Sequence, residues 1–379
     1  MADNHKKYAE ATKAVLTWYS AHARDLPWRT RPQDRAKGVK PNPYHVWLSE
    51  VMLQQTTVAT VKSYFEKFTS IWPYVTDLAA ANREDVMSAW AGLGYYARAR
   101  NLHRAAQLVA EEYGGRFPET EDELRKLPGI GSYTAAAIAS IAFGNRAVVM
   151  DGNIERVTAR FDQIKTPLPK AKDECYDVMD KLTPDGAYLA GDFAQALMDI
   201  GATICTAPRK TASGPSKPSC LICPLSVTCI AKDNAPENLP VKLPKKPRPD
   251  RHGHVLIIRD AEDSVVLAKR PDQGLLGGLD ILPTNDWPDG GGLHPDEGMI
   301  SDHHPAAKLK TSFGQGHFLN EEVSHIFTHF RVLIKVETLT LSVVTPPLPD
   351  HFFWAKKEML SERALPTVML KCLKLARLL

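Results

Sequence analysis

No apolar run in this 379-residue chain reaches the about 18 residues that a membrane-spanning helix needs. The longest candidate, Ala135 to Phe143, is stopped by Gly144-Asn145-Arg146. The opening Met-Ala-Asp-Asn-His-Lys-Lys lacks the apolar stretch of a secretion signal. These absences set the expectation of a cytoplasmic chain with no membrane partner. Cysteine is scarce, six in all, and in a reducing compartment that argues against a disulfide framework. Charge of one sign is nearly missing too. The 47 Lys and Arg against 44 Asp and Glu leave +3, too little by itself to demand a polyanionic partner. There is no internal repeat. With 44% hydrophobic and 24% charged residues the composition is that of a folded chain, and at roughly 150 residues per domain its length suggests two or three domains.

What is present changes character along the chain. Tyr8 to His22, Tyr44 to Phe68, Arg83 to Ala91, Ala97 to Tyr113, Ser132 to Phe143, Ile154 to Phe161 and Ala187 to Ile204 carry apolar residues at helical spacing. Then Pro236, Pro240, Pro244, Pro247 and Pro249 interleave with Lys242, Lys245, Lys246 and Arg248. Proline at that density favours an extended spacer. Beyond it, His254 to Arg259, Ser264 to Lys269, His325 to Val336 and Thr338 to Val344 are β-branched and strand-like. Lys356 to Leu379 looks helical. The expected architecture is an all-α domain over 1–233, a Pro-rich basic linker over 234–252 and an α+β domain over 253–379.

Several local patterns have the residue types that chemistry needs. Leu127-Pro128-Gly129-Ile130-Gly131 lies between two helical segments, with Thr120 and Glu123 placed for a capping box before it. The glycines make a tight corner and bare backbone N–H groups at a helix start. That is either a plain helix–turn–helix corner or a cradle for a phosphate oxygen. Asp151 can cap the helix that begins near Ile154 and, still ionised there, can serve as an electrostatic catalyst. Glu50 has Val46, Trp47, Leu53 and Gln54 as helical neighbours. It is either a surface glutamate or a partly desolvated acid working near neutral pH. Gly92-Leu93-Gly94-Tyr95-Tyr96 puts a tyrosine on a glycine-rich turn, packed or exposed as a wedge for bases. Arg98, Arg100, His103 and Arg104 follow as a basic, solvated face. Cys205, Cys220, Cys223 and Cys229 read C-x14-C-x2-C-x5-C. One C-x2-C pair is half a zinc ribbon, and four thiolates at irregular spacing also suit a [4Fe–4S] cluster.

Taken together, Arg24-Asp25-Leu26-Pro27-Trp28-Arg29, Pro43 to Thr57, Gly92 to Asn101, Leu127 to Ala136, Met150 to Asn153 and Phe193 to Cys205 resemble the adenine DNA glycosylases of the MutY type, within the helix-hairpin-helix glycosylase superfamily. The resemblance implies a multidomain protein: a helix-hairpin-helix glycosylase domain with a [4Fe–4S] cluster on Cys205, Cys220, Cys223 and Cys229, then a Nudix-like α+β domain. It implies that Glu50 protonates N7 of adenine, that Asp151 stabilises the sugar cation and that Tyr133 assists them. Arg24, Trp28, Arg29, Leu53 and Gln195 would form the adenine pocket. Gln54, Gln55, Thr56, Tyr95, Gly129 and Gly131 would contact DNA, with Gln55 and Tyr95 inserted at the lesion. Phe327, Thr328 and His329 would read 8-oxoguanine, and the tail from Ala364 to Lys371 also fits.

The implied substrate is double-stranded DNA with adenine opposite 8-oxoguanine or guanine. The implied product is an abasic site, and the implied enzyme is a monomer associated with the nucleoid when on DNA. The endonuclease III branch shares hairpin and cluster. It carries a Schiff-base lysine where this chain has Tyr133, and no lysine lies between Gly129 and Asn145. A third possibility is an Fe–S module that recognises lesions without cutting. The chain departs from the MutY pattern in a fourteen-residue gap after the first clustered cysteine and in expansions at Thr30–Asn42 and Asn285–Gly298. It also departs at Leu276, where tryptophan is common, and at the neighbouring Asp280. No run of glutamates matches a Nudix hydrolase box, so binding is expected of the C-terminal domain rather than pyrophosphate hydrolysis.

Overall fold

The computed structural model describes residues 2–211, 214–244, 247–291, 299–301, 304–360, 363 and 365–379. Ala364, Lys245, Lys246 and half of the expansion at 285–298, residues 292–298, therefore lie outside the described residues. The chain forms two compact units, Met1–Ala81 with Asn101–Lys245, and Asn82–Arg100 with Lys246–Leu379. This differs from the expected boundaries at 233 and 252. Residues 234–244 stay with the first unit because Leu168 N–H donates to the Val241 carbonyl at 2.9 Å and Arg160 Nε to the Leu239 carbonyl at 3.1 Å. The spacer is thus partly built into that unit, with a 3-10 turn at Pro236–Asn238. Residues 82–100 join the second unit, where Arg83 pairs with Asp272 and Arg100 donates to the Gly277 carbonyl.

In the first unit most expected helices form, with one division. The apolar pattern from Tyr44 to Phe68 is two helices, Pro43–Leu53 and Val58–Ile71. Asn42 caps the first by accepting from Tyr44 N–H at 2.9 Å, with Pro43 where helices tolerate it. Thr57 caps the second by accepting from Thr60 N–H at 3.3 Å. Between them Gln55 takes a left-handed backbone (φ 59°). Three helices of this unit went unpredicted, Pro32–Arg35, Val75–Ala80 and Lys172–Leu182.

Helix Glu121–Leu124 is capped by Thr120, but Glu123 turns to Tyr113 and Lys126, so the reciprocal half of the capping box is missing. Gly129 then bends the chain at φ 79°, and a Cβ there would stand 2.8 Å from Cβ of Asn101. The alanine-rich helix Ser132–Phe143 follows, buried from Thr134 to Ala142. It packs on Pro43–Leu53 and on Leu189–Thr203. A Cβ on Gly191 would come within 2.4 Å of the Ser140 carbonyl oxygen, so small side chains let these helices meet. Trp47, Leu48 and Met52 are fully enclosed, each contributing about 1.5–3 kcal/mol of burial.

The second unit is built on a mixed sheet. Strand Asp250–Arg259 runs parallel to Arg331–Thr340 and antiparallel to Val265–Lys269. His317–Ile326 lies outside Arg331–Thr340, while Asp280–Ile281 and Phe352–Ala355 both pair with Val265–Lys269. Val255 and Ile257 face one core with helix Thr367–Leu375, and Leu256 and Ile258 face another with Leu309. Alternate residues are buried on both faces because both faces are covered. The expected strand from His325 to Val336 is a hairpin turning at 327–330, closed by Phe327 N–H to the Phe330 carbonyl at 2.8 Å. Thr338 to Thr340 extend its second strand. The C-terminal helix covers only Thr367–Leu375, after a 3-10 turn at Lys357–Met359 and with Pro366 at its cap.

Candidate active site

Helix Pro43–Leu53 carries Glu50 into the interior of the first unit, where the carboxyl is buried. The surface reading of this residue is excluded. Tyr133, in the first turn of helix Ser132–Phe143, donates its hydroxyl to Glu50 Oε2 at 2.7 Å. Burial pushes the Glu50 carboxyl up to about 7, and the charge of Asp151 adds to the rise. The Tyr133 hydrogen bond and the Arg29 charge oppose it. Such a group is part protonated and part ionised at neutral pH, as a general acid must be. Burial, with the charges of Glu50 and Asp151, keeps the Tyr133 phenol protonated far above its ordinary range.

Asp151 does what its position suggested. It caps helix Gly152–Phe161, accepting from Ile154 N–H at 2.7 Å and from Asn153 Nδ2 at 2.9 Å. Its charge acts on both Glu50 and Tyr133, so capping and electrostatic roles coexist.

One cavity takes in Glu50 together with all five expected pocket residues, Arg24, Trp28, Arg29, Leu53 and Gln195. Trp28 is buried edge-on against Phe65 at 5.4 Å. Gln195 donates to the Gly191 carbonyl at 3.2 Å. Leu26, Val46, Ser49, Val58, Ile141 and Met198 complete the wall, unanticipated from the sequence as pocket residues. Asp199, behind the two arginines, was likewise not anticipated. This fully buried carboxylate accepts Arg24 Nε at 2.7 Å and Arg29 Nη1 at 2.7 Å. The available signal was its place four residues after Gln195, hence on the same face of helix Leu189–Thr203.

Of the expected DNA-contact residues, Gln54 ends its helix and donates to Thr134 Oγ1 at 3.4 Å, and Gln55 stands exposed at the corner. Thr56 closes the corner with its N–H on the Leu53 carbonyl at 3.2 Å. Gly131 begins helix Ser132–Phe143 with no side-chain cap. In the second unit Tyr95 is half exposed in a left-handed conformation (φ 48°). Its hydroxyl is 3.5 Å from that of Thr328. Thr328 and His329 are exposed, while Phe327 is half-buried and stacks on Phe330 at 4.9 Å. The solvated basic face expected after Tyr95 is one only in part: Arg104 is exposed and Arg100 half-buried. Arg98 is buried on Trp90 and donates to the carbonyls of Leu93 and Gly94, and His103 is buried against the Ala81 carbonyl.

Cys205, Cys220, Cys223 and Cys229 line a second cavity, all as free thiols. The long gap between the first two is taken up by a small two-stranded ribbon, Lys210–Thr211 with Gly214–Pro215. Burial pushes the Cys223 thiol up to about 12 and the Cys229 thiol up to about 11. The enclosed Arg160 donates to Cys205 Sγ at 3.2 Å, while its Nη2 has no partner among the described residues. Four sulfurs beside a buried guanidinium with one nitrogen still unpartnered fit a bound group of net negative charge, as a thiolate-held iron–sulfur cluster is. A line of bonds leads back from here. Arg156 donates to the Cys205 carbonyl at 2.9 Å and to Asn153 Oδ1 at 3.1 Å, and Asn153 holds Asp151. Cys175 and Cys372 are buried apart from the others, as small apolar groups.

Residues 48–182 match the HhH-GPD superfamily of base excision DNA repair proteins, and residues 254–375 match the NUDIX domain. An adenine DNA glycosylase of Homo sapiens is 32% identical over 94% of this chain and 72% of its own length. One of Rattus norvegicus is 33% identical over 94% and 76%. One of Buchnera aphidicola is 36% identical over 72% and 73%. A solved thermostable thymine-DNA glycosylase superposes with a TM-score of 0.52 at 28% identity, over 62% of this chain and all of its own.

Proposed function

The chain belongs to the adenine DNA glycosylase family, and from that premise we propose that it removes adenine mispaired with 8-oxoguanine or guanine in duplex DNA, leaving an abasic site. As a DNA glycosylase it hydrolyses N-glycosyl bonds in base excision repair. The observation that carries the finer reading is the buried Tyr133–Glu50 pair, with Glu50 near pKa 7 and the Asp151 charge beside it, inside one cavity with Arg24, Arg29 and Gln195.

Adenine is a poor leaving group as an anion. Glu50 delivers a proton to N7, so the base departs neutral. Positive charge then grows on the sugar. Asp151, held at its helix start by the Ile154 amide and Asn153, offsets that charge from a fixed position. Water then bonds to the sugar carbon that adenine left and gives up a proton, which restores the Glu50 carboxyl and leaves the abasic site. Tyr133 stays protonated and orients Glu50. The adenine must leave the duplex to enter the cavity at a cost of a few kcal/mol. Gln55 and Tyr95 fill the gap it leaves, and Gln54, Thr56, Gly129 and Gly131 hold the neighbouring strand. Phe327, Thr328 and His329 read the opposite base. Cys205, Cys220, Cys223 and Cys229 would hold a [4Fe–4S] cluster, which shapes the loops around it. The enzyme acts as a monomer and without a lyase step, since no lysine stands in the hairpin helix.

The test is single-turnover release of free adenine from duplexes carrying adenine opposite 8-oxoguanine, guanine or thymine. Release from the first two and not from matched A:T is expected. Equal release from all three, or none from the mispairs, refutes the assignment.

A further inference from the structure

Local sequence gives no reason for residues 82–100 to belong with a sheet that begins at residue 250, yet they form one unit with it. The attachment is a turn of eight residues, 271–278. Asp272 takes the guanidinium of Arg83 with both oxygens, Nη1 to Oδ2 at 3.1 Å and Nη2 to Oδ1. The Gly277 carbonyl accepts from Arg100 Nη1. Gly278 N–H closes the turn on the Pro271 carbonyl at 2.9 Å. Gly278 itself is left-handed (φ +71°), and a Cβ on it would stand 3.0 Å from Asp272 Oδ1, 3.3 Å from Arg83 Nη2 and 3.5 Å from Arg100 Cδ. The turn is a cradle in which a bare backbone makes room for two arginines.

Arg83 and Arg100 bracket the segment that carries Tyr95. Within it Trp90 Nε1 donates to the Gly94 carbonyl at 3.1 Å, and Arg98 Nη2 to Leu93 and Gly94 at 3.0 and 3.2 Å. The bracketed segment is therefore internally tied, and holding its two ends sets where Tyr95 stands. Tyr95 faces Thr328, whose carbonyl accepts Arg248 Nε at 3.2 Å. We propose that the 271–278 turn is a specificity clamp: Asp272 and the Gly277 carbonyl hold Arg83 and Arg100, fixing the distance between the inserted Tyr95 and the reading residue Thr328. Arg83, Arg100 and Asp272 are positioning residues. The inference rests on the reading above, in which Thr328 recognises the base opposite adenine.

Discrimination is the ratio of single-turnover adenine release opposite 8-oxoguanine to that opposite guanine, measured on the full chain. Asp272→Arg sets three positive charges together and is expected to lower the ratio about tenfold. Asp272→Asn keeps the shape, folds in any case, and is expected to lower it about threefold, as suits an exposed pair. Combining Asp272→Arg with Arg83→Asp restores the ion pair with its ends exchanged and should recover most of the loss. A merely structural role for the turn would change adenine release opposite both bases alike and leave the ratio unmoved. If Thr328→Ala lowers the ratio while both Asp272 variants leave it intact, the clamp is refuted and the reading stands. An Asp272→Arg loss that the exchange fails to recover also refutes the clamp. If Thr328→Ala itself leaves the ratio unchanged, the reading of Thr328 falls, and the clamp with it.

Discussion

Replacing Glu50 by glutamine should make the protein more stable and inactive at once. In the folded chain burial lifts this carboxyl from its ordinary 4.5 to about 7. The folded state therefore holds the proton more tightly than the unfolded chain does. Stability contributed by the neutral form is present at low pH and lost as pH rises from about 4.5 to about 7. Above that window the folded enzyme carries a buried ionised group at its full cost. With about 1.4 kcal/mol per unit, the shift corresponds to about 3 kcal/mol at pH 8 and about 1 kcal/mol at pH 5. Glutamine has nearly the same shape, keeps an oxygen to accept from the Tyr133 hydroxyl, and never ionises. Urea unfolding of wild type and Glu50→Gln at pH 8 and pH 5 measures the difference. The variant should gain about 3 kcal/mol at the higher pH and only about 1 kcal/mol at the lower, while adenine release disappears at both. A gain that does not grow with pH refutes burial as the cause of the shift. Adenine release near the wild-type rate refutes Glu50 as the acid.

Three further outcomes follow from the geometry. Asp199→Asn strips the shared carboxylate from Arg24 and the buried Arg29; urea denaturation should show a loss of about 3–5 kcal/mol, the cost of an uncompensated buried charge. Arg156→Met cuts the bonds to Cys205 and Asn153. Single-turnover adenine release should fall about tenfold or more through a misplaced Asp151, while iron analysis still finds about four irons per chain. A chain ending at Leu243 lacks the turn that holds Arg83 and Arg100, so hydrogen exchange of residues 82–100 should be faster than in the full protein, with preference for 8-oxoguanine lost.

How much of this could be read beforehand depends on the range of the interaction. Asp151 was legible as a helix cap and Glu50 as a carboxyl beside Trp47 and Leu53 that could be desolvated, whereas Tyr133 and the roles of all three came only from the resemblance of several motifs taken together. The pocket arginines were legible, but the carboxylate between them was not, since Asp199 is 175 residues from Arg24 and is one of many acidic residues. The hairpin at 327–330 was hidden because β-formers run straight through it. Arg98 looked solvated because charge is the local signal, and only the fold reveals the Trp90 ring and the carbonyls that receive it. The strongest departure, residues 82–100 joining the second unit, depends on an ion pair 189 residues apart, which no periodicity encodes.

That arrangement has a consequence for how the protein comes into being. Residue 100 leaves the ribosome long before residue 277, and at about 5–20 residues per second the interval is roughly 10–35 s. During that time helix Arg83–Trp90 and Tyr95 have been synthesised while the sheet of their unit has not. The emerging chain must keep this segment waiting, with Arg83 and Arg100 in water, until the C-terminal third arrives. Glu50, Tyr133 and Asp151, by contrast, all precede residue 246 and are available earlier. Order of birth thus separates two sets of residues: the groups proposed to break the bond are synthesised first, and the arrangement proposed to choose where to break it is completed last.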